Sequence, residues 1–401
     1  MRNTARLRFV NSRVTLYAMA VSSELPAATL AQALDRGEPV QVLDVRSARR
    51  VAEQRIALGT ELVFRNRAAS EIYQDESLAS LGIDQARPVA VVCGHGNSSR
   101  EVAAFLRARG IDARSVSGGM AAWEAVYLDR RLEPTGKIEH VVQFDRVGKG
   151  ALSYVLASDG DAVLVDPGRH LDPYEAVLRQ IAATPAAVID THVHADYQSG
   201  AARAARRFGV PYFLHPADAI SPFDGAAGKL SYQPVEQGDT IAFGRATLVV
   251  DHVPGHTLGS IALFADDRYV LTGDFLFVES IGRPDLGAQA DAWAKLLWRS
   301  VVHARASWPG DRVILPAHYT NETERRKDRA VATAFASIRA TNPALSFADE
   351  PSFLRWIADQ QAHVPQAYRT LKLVNLGLIE TSESEIETLE TGPNLCAVSL
   401  R

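Results

Sequence analysis

Thr191-His192-Val193-His194-Ala195-Asp196-Tyr197 is the stretch on which the reading of this chain turns. It follows a short apolar run, residues 186–190, that reads as a buried strand. It precedes residues 199–208, whose Ala/Arg spacing reads as a helix. Two imidazoles and a carboxylate therefore occupy one strand-to-helix turn. Imidazole nitrogen and carboxylate oxygen are ligands that divalent transition metals take, so the run points to a metal site. A solvated loop rich in His and Asp is the plainer alternative, and the positions that follow weigh against it.

Those positions come in order, each at the end of an apolar strand. Residues 247–250 lead into Pro254-Gly255-His256-Thr257-Leu258-Gly259, residues 269–271 into Thr272-Gly273-Asp274, and residues 312–315 into Pro316-Ala317-His318-Tyr319. Strand ends of one sheet system can gather His192, His194, His256, Asp274 and His318 around one pocket, which a chance scatter of histidines would not do. Upstream, residues 151–156 and 162–165 flank Ser158-Asp159-Gly160-Asp161 and read as a hairpin that ends at Asp166-Pro167-Gly168. Residues 174–183 read as a helix. Residues 128–136, charged and carrying Pro134, read as a linker.

In this order the motifs resemble the metallo-β-lactamase superfamily, which implies an αββα sandwich with a metal site along one edge. The superfamily's usual opening is H-x-H-x-D-H, and Tyr197 stands at its last position, where two-metal hydrolases carry a ligand of the second ion. A phenol, with a pKa of about 10, is a poorer ligand at neutral pH than an imidazole at about 6.5. A two-metal hydrolase is therefore disfavoured. Resemblance to the mononuclear iron members, the persulfide dioxygenases, implies one Fe(II) per chain on His192, His256 and Asp274. His194, Asp196, Tyr197 and His318 are then surrounding positions or a vestigial second site. Two imidazoles and one carboxylate suit Fe(II) and leave coordination positions open. Ile281-Gly282-Arg283-Pro284-Asp285-Leu286 also follows the aspartate as in that group. Arg283 is expected either to hold a carboxylate of glutathione or to pair with Asp285 and brace a turn. Tyr319 is expected either to reach into the pocket or to satisfy its hydroxyl locally.

The chain ahead of this region carries a second chemical signal. Residues 26–36 have helical periodicity, residues 40–45 read as a strand ending in Asp44-Val45-Arg46, and residues 89–92 read as another apolar strand. Alternating strands and helices argue for a small α/β domain with a parallel sheet. Cys93-Gly94-His95-Gly96-Asn97-Ser98-Ser99 follows directly, and residues 100–109 read as a helix. A thiol in such a turn faces backbone N–H groups and a helix N-terminus, which favours the thiolate. A lone cysteine is more often a packed core residue, but Gly94 and Gly96 let the loop curl its amides toward one point. Here the residues resemble the rhodanese family: a cysteine-led loop, Leu43-Asp44-Val45-Arg46 before it, and Val116-Ser117-Gly118-Gly119-Met120-Ala121-Ala122-Trp123 after it. The resemblance implies that Cys93 takes up a sulfane sulfur as a persulfide held by the loop Gly94, His95, Gly96, Asn97 and Ser98. Two positions depart from the pattern, Ser98 where single-domain members often have Arg and Gln54-Arg55-Ile56 where Gly-His-Ile is usual. They leave the sulfur donor open.

Composition bounds the rest. With 401 residues, 47% hydrophobic and 22% charged, the chain has the make-up of a globular protein of roughly two to three domains. A net charge of −4 and no basic stripe argue against nucleic acid, and no apolar run reaches the ~20 residues that span a bilayer. Residues 1–23 hold Arg2, Arg6, Arg8 and Arg13 and no acidic residue. They are read as a disordered leader, with organelle targeting as the alternative. Two cysteines fit a reducing, cytoplasmic setting, and Cys396 has no nearby loop of amides and reads as incidental.

The expected organisation is therefore an α/β chain with a rhodanese-like parallel-sheet domain over 24–131 and a metallo-β-lactamase sandwich over 132–329. A helical extension over 330–401 packs on the sandwich, with residues 382–390 acidic and solvated. The expected function, by resemblance, is Fe(II)-dependent oxidation of glutathione persulfide by O₂ to sulfite and glutathione. It is coupled to sulfur transfer with thiosulfate or sulfite through Cys93, and a homodimer is possible. The alternatives are a glyoxalase II-like thioester hydrolase using zinc-bound hydroxide and a non-enzymatic persulfide carrier or sensor.

Overall fold

The computed structural model describes residues 22–75, 77–360, 364–392 and 394–398, so nearly all of the leader lies outside the described residues. The chain divides into two compact units, Met1–Val126 and Tyr127–Arg401.

In the first unit five strands pair in parallel, in the order Glu24–Pro26, Ala113–Ser117, Val89–Val92, Gln41–Asp44, Val63–Asn66. Gln41–Asp44 and Val89–Val92 are buried along their whole length, as strands covered on both faces are. Helix Asn97–Arg107 begins four residues after Cys93, itself the first residue beyond Val89–Val92.

The second unit is a sandwich of two sheets. One has seven strands in the order Gln233–Pro234, Tyr212–Leu214, Thr184–Ile189, Asp161–Val165, Ala151–Ser158, His140–Arg146, Tyr127–Leu132. The other has six, Thr240–Phe243, Ala246–His252, Ile261–Ala265, Tyr269–Gly273, Val313–Pro316, Thr333–Ala334. Their inner faces meet through Leu152, Tyr154, Val163, Ile189, Leu248, Leu263 and Leu271. Helices Asp172–Gln180 and Ala201–Phe208 cover the outer face of the first sheet through Tyr174, Val177 and Ala204. Helix Ala290–Ser307 covers the second through Ala294, Leu297 and Val301. The expected αββα layering is what forms. No helix among the described residues is long and apolar enough to cross a membrane.

Three expectations need correction. Residues 128–136 are not simply a linker, because Tyr127–Leu132 is a strand paired antiparallel with His140–Arg146. Its buried Leu128 and Leu132 alternate with exposed Asp129 and Arg131, a strand pattern hidden by its charge. The helical extension expected over 330–401 does not start as a helix at residue 330. Ala330, Val331 and Ala332 enter the inter-sheet core, Thr333–Ala334 closes the sheet edge, and the helix is Phe335–Thr341. Residues 382–390 are not uniformly solvated, since helix Glu383–Leu389 ends on Glu390, which is 1% exposed.

Candidate active sites

In the first unit the Cys93 thiol is nearly buried. Gly96 N–H donates to Cys93 Sγ at 3.1 Å, and Sγ lies 3.3 Å from Ser99 Oγ, which in turn contacts Ser115 Oγ at 2.9 Å. Burial pushes the thiol pKa up, but the Ser99 hydroxyl and the N–H groups of Ser99, His95 and Gly96 outweigh it, and the net direction is down. The loop thus favours a sulfur anion by hydrogen bonding. Gly96 has φ +93°, and the Gly118-Gly119 signature packs onto the same loop. Met120 N–H donates to Cys93 O at 2.8 Å, and a Cβ on Gly119 would lie 2.3 Å from that oxygen. Asp44 and Arg46 form an ion pair at 2.7 Å, and Arg46 also donates to Gln54 O, so this signature braces the turn. Ser99 and Ser115 were not singled out from sequence. Ser99's place in the first turn of the helix was the available signal for it, and Ser115 on the next strand had none.

In the second unit the loop after Thr184–Ile189 is pinned by carboxylates. Asp166 accepts from Thr191 N–H at 2.7 Å and Thr191 Oγ1 at 2.8 Å. Asp218 accepts from Val193 N–H at 2.8 Å, Thr257 Oγ1 at 2.8 Å and Gly259 N–H at 2.7 Å, tying the His192 loop to the His256 loop. Because Thr191 Oγ1 gives its proton to Asp166, it accepts from His192 Nδ1 at 3.0 Å. His256 Nδ1 donates to Arg283 O at 3.0 Å. Each imidazole is thereby held with a bare Nε2 lone pair, the tautomer a metal ligand needs.

His192 Nε2, His256 Nε2 and Asp274 Oδ2 are all buried without a hydrogen-bond partner, and they lie within 4.8 Å of one another. Asp274 Oδ2 is 3.6 Å from His192 Nε2 and 3.4 Å from His256 Nε2. Burial pushes the His256 imidazole down to about 3, so it is neutral at pH 7. Three converging lone pairs left unsatisfied in the protein interior fit a bound cation. Gly282 makes room for them, since a Cβ there would lie 1.9 Å from Asp274 O and 2.9 Å from His256 Nδ1.

The remaining motif residues lie outside this set, and His194 with Asp166 and Asp190 forms a second buried group whose ligand atoms lie within 4.8 Å of one another. His194 Nε2 lies 3.3 Å from Asp166 Oδ1, 3.7 Å from Asp190 Oδ1 and 3.1 Å from Tyr197 OH. The Tyr197 ring stacks on it at 4.4 Å, and the Tyr197 hydroxyl donates to Asp166 O at 3.3 Å. His318 uses both nitrogens, Nδ1 to Asp274 Oδ1 at 2.6 Å and Nε2 to Asp196 Oδ2 at 3.1 Å. Burial opposes its protonation, but the carboxylates of Asp274 and Asp196 prevail and push it up to about 9. Arg283 makes a bidentate pair with Asp285, both contacts 2.6 Å, the turn-bracing alternative. The Tyr319 hydroxyl lies 3.2 Å from Asp145 Oδ1 and accepts from Arg325, so it serves that pair.

The C-terminal extension contributes residues that the sequence did not reveal. Asn375 donates to His194 O at 2.9 Å and Tyr197 O at 2.8 Å and accepts from Ser199 N–H at 2.9 Å. Lys372 Nζ donates to Val193 O at 3.2 Å, and Glu390 accepts from Gln198 N–H at 2.8 Å. Cys396, read as incidental, is fully buried against Ala195, Leu286 and Tyr368. Its carbonyl accepts from Arg283 N–H at 2.9 Å, and burial, then the Asp196 and Asp274 carboxylates, push its thiol up. Lys372 and Asn375 lie on helix Gln366–Asn375, Glu390 caps helix Glu383–Leu389, and Cys396 lies in no helix.

Residues 146–329 match the family model of the metallo-β-lactamase superfamily, and residues 26–126 match that of the rhodanese-like domain. An uncharacterised protein of Mycobacterium leprae is 38% identical over 200 residues, 43% of this chain and 89% of that protein. A hydroxyacylglutathione hydrolase of Anaeromyxobacter dehalogenans is 40% identical over 142 residues, 34% of this chain and 50% of the hydrolase. The human mitochondrial persulfide dioxygenase ETHE1 is 33% identical over 162 residues, 39% of this chain and 59% of ETHE1. With its two-histidine, one-carboxylate cluster inside an αββα sandwich, the chain belongs to the metallo-β-lactamase superfamily and carries a rhodanese-like domain ahead of that fold.

Proposed function

We propose that this protein is a bifunctional enzyme of sulfur metabolism. Its second unit oxidises glutathione persulfide with O₂ and water to glutathione, sulfite and two protons, and its first unit transfers sulfane sulfur through Cys93. The observation that carries the reading is the set of three orphaned ligand atoms, His192 Nε2, His256 Nε2 and Asp274 Oδ2, beside a Tyr197 that is hydrogen-bonded elsewhere. These residues would hold one Fe(II), which when bound supplies open positions for a substrate sulfur and O₂. Similarity to ETHE1 over part of that protein's length supports the same chemistry.

The chain's own residues do the rest. Thr191 and the Arg283 carbonyl fix the two imidazole tautomers. His318 holds its protons on Nδ1 and Nε2 between Asp274 and Asp196, orienting the Asp274 carboxylate. The ligand residues are at most 1% exposed, so bulk water is kept from the reacting sulfur. At the other site the Cys93 thiolate attacks the outer sulfur of thiosulfate. The S–S bond breaks, and sulfite leaves with the bonding pair. A glutathione thiolate then takes that sulfur from the Cys93 persulfide and regenerates the thiolate, with Gly96 N–H and Ser99 Oγ holding the anion throughout.

The thioester hydrolase is the second reading, supported by the A. dehalogenans relative. Metal analysis of freshly purified protein with oxygen uptake on glutathione persulfide separates the two. About one iron per chain with persulfide-dependent uptake supports the dioxygenase. Two zinc ions per chain with hydrolysis of a glutathione thioester and no uptake refutes it.

A further inference from the structure

We propose that the second unit carries an anion site separate from the three orphaned ligand atoms, a cavity of about 240 Å³ that takes a small tetrahedral dianion of the phosphate or thiosulfate class. Its basic side chains come from three separate segments: Arg169 after strand Asp161–Val165, Arg203 and Arg206 on helix Ala201–Phe208, and Lys229. Arg203, Arg206 and Lys229 are exposed, yet they border one concavity, where their potentials add.

The charges inside do not cancel. The Arg169 charge is met by Glu390 and Glu383. Asp190 is the one carboxylate lining the cavity, and its oxygens accept from Ser199 Oγ at 3.0 and 2.7 Å and from Tyr212 OH at 2.9 Å. Arg203 donates to the carbonyl of Arg169, a neutral partner. The side chains of Arg206 and Lys229 make no ion pair or hydrogen bond among the described residues. Three cations, Arg203, Arg206 and Lys229, therefore border the cavity with one carboxylate, Asp190, which also lies 3.7 Å from His194 Nε2, so a positive excess remains that a small dianion matches. Guanidinium is weakly hydrated and presents a planar donor fork, which suits an oxyanion. The volume lies below the ~300 Å³ at which pockets for drug-sized ligands begin, which restricts the occupant to a small anion.

Gln198, Ser199 and Asn375 also line this cavity. They belong to, or hold, the loop that carries His192 and His194, so an occupant sits against the back of that loop.

The test is calorimetric titration of the metal-loaded full chain with inorganic phosphate and, separately, with thiosulfate, both at constant ionic strength set by chloride. At least one should bind saturably at one per chain. The Arg206→Gln/Lys229→Gln double variant should raise that Kd by at least about tenfold with metal content and thermal unfolding unchanged. The probe that binds identifies the anion class. Absence of saturable binding of both probes, equal displacement by chloride, or a Kd unmoved in the double variant would each overturn the assignment.

Discussion

Replacing Glu390 with Gln removes a charge from a buried ion pair of the second unit while keeping the side chain's shape. Glu390 Oε2 accepts from Arg146 Nη2 at 2.6 Å and Arg169 Nε at 3.0 Å, and Oε1 accepts from Gln198 N–H. Burial alone would raise the carboxyl pKa, but the two guanidiniums outweigh it and pull it from 4.5 to about 2. That gap corresponds to about 3 kcal/mol of native-state stabilisation by the charged form, in line with the ~3–5 kcal/mol lost when one partner of a buried pair is removed. Because the folded value is depressed, the contribution is complete above 4.5 and disappears as pH falls through about 2. Glu390→Gln should therefore cost about 3 kcal/mol at pH 7, and the difference from wild type should shrink steadily below pH 4.5. Urea unfolding followed by tryptophan fluorescence reads this well, since four of the five tryptophans, Trp293, Trp298, Trp308 and Trp356, lie in the second unit. A loss under about 1 kcal/mol at pH 7, or a difference independent of pH, would refute the argument that the pair is net stabilising.

Four further outcomes follow from the sites. Cys93→Ser should abolish thiosulfate-dependent sulfur transfer while oxygen uptake on preformed glutathione persulfide stays largely intact; equal loss of both activities would contradict separate sites. Ser99→Ala removes a hydrogen bond that favours the thiolate, so the pH profile of iodoacetamide alkylation at Cys93 should move to higher pH, and an unmoved profile would remove Ser99 from the account. His256→Ala and Asp274→Ala should each lose bound metal with the far-UV circular dichroism unchanged, and full occupancy in both variants, by elemental analysis, would sink the ligand assignment. Tyr197→His restores the superfamily's opening pattern, and metal content in zinc-supplemented cultures should rise from about one toward two per chain; a wild type that already holds two ions would contradict the one-metal reading.

The strand ends were legible because parallel and core strands read as apolar runs, and each run here stops at a motif. Val89–Val92 before Cys93 and Tyr269–Gly273 before Asp274 are examples. The approach of His192, His256 and Asp274 was legible as a possibility, since all three sit at the ends of strands of one sandwich. Which imidazole nitrogen is left bare was not, because it depends on Thr191 and the Arg283 carbonyl, whose hydrogen bonds have no sequence pattern. Strand Tyr127–Leu132 escaped notice because Asp129, Arg130 and Arg131 give it a linker's composition. Glu390 escaped for the opposite reason: an acidic stretch is ordinarily solvated, and its burial requires Arg146 and Arg169, more than 200 residues away in sequence. Lys372 and Asn375 likewise act on a loop from which nothing in their own helix could be inferred.

The region where two-metal members keep a second ion shows how the proposed one-metal chemistry is electrostatically self-consistent. Four buried carboxylates, Asp166, Asp190, Asp196 and Asp274, crowd the opening motif, and in a low-dielectric interior they require cations. Part of that charge comes from imidazole protons. His318 lies between Asp274 and Asp196 and is pushed up to about 9. His194, despite its burial, is raised well above its ordinary value by Asp166 and Asp190. Neither histidine then has a lone pair to offer on the nitrogens so engaged, and Tyr197, stacked on His194 and bonded to the Asp166 carbonyl, closes the space beside it. The orphaned atoms remaining toward His192 are Nε2 of His192, Nε2 of His256 and Oδ2 of Asp274. On the proposed one-metal reading, a protein-supplied cation stands in place of the second ion with which a dinuclear hydrolase would hold its nucleophile. The three-ligand set itself is buried from bulk water, as the proposed reaction of a sulfur anion with O₂ requires.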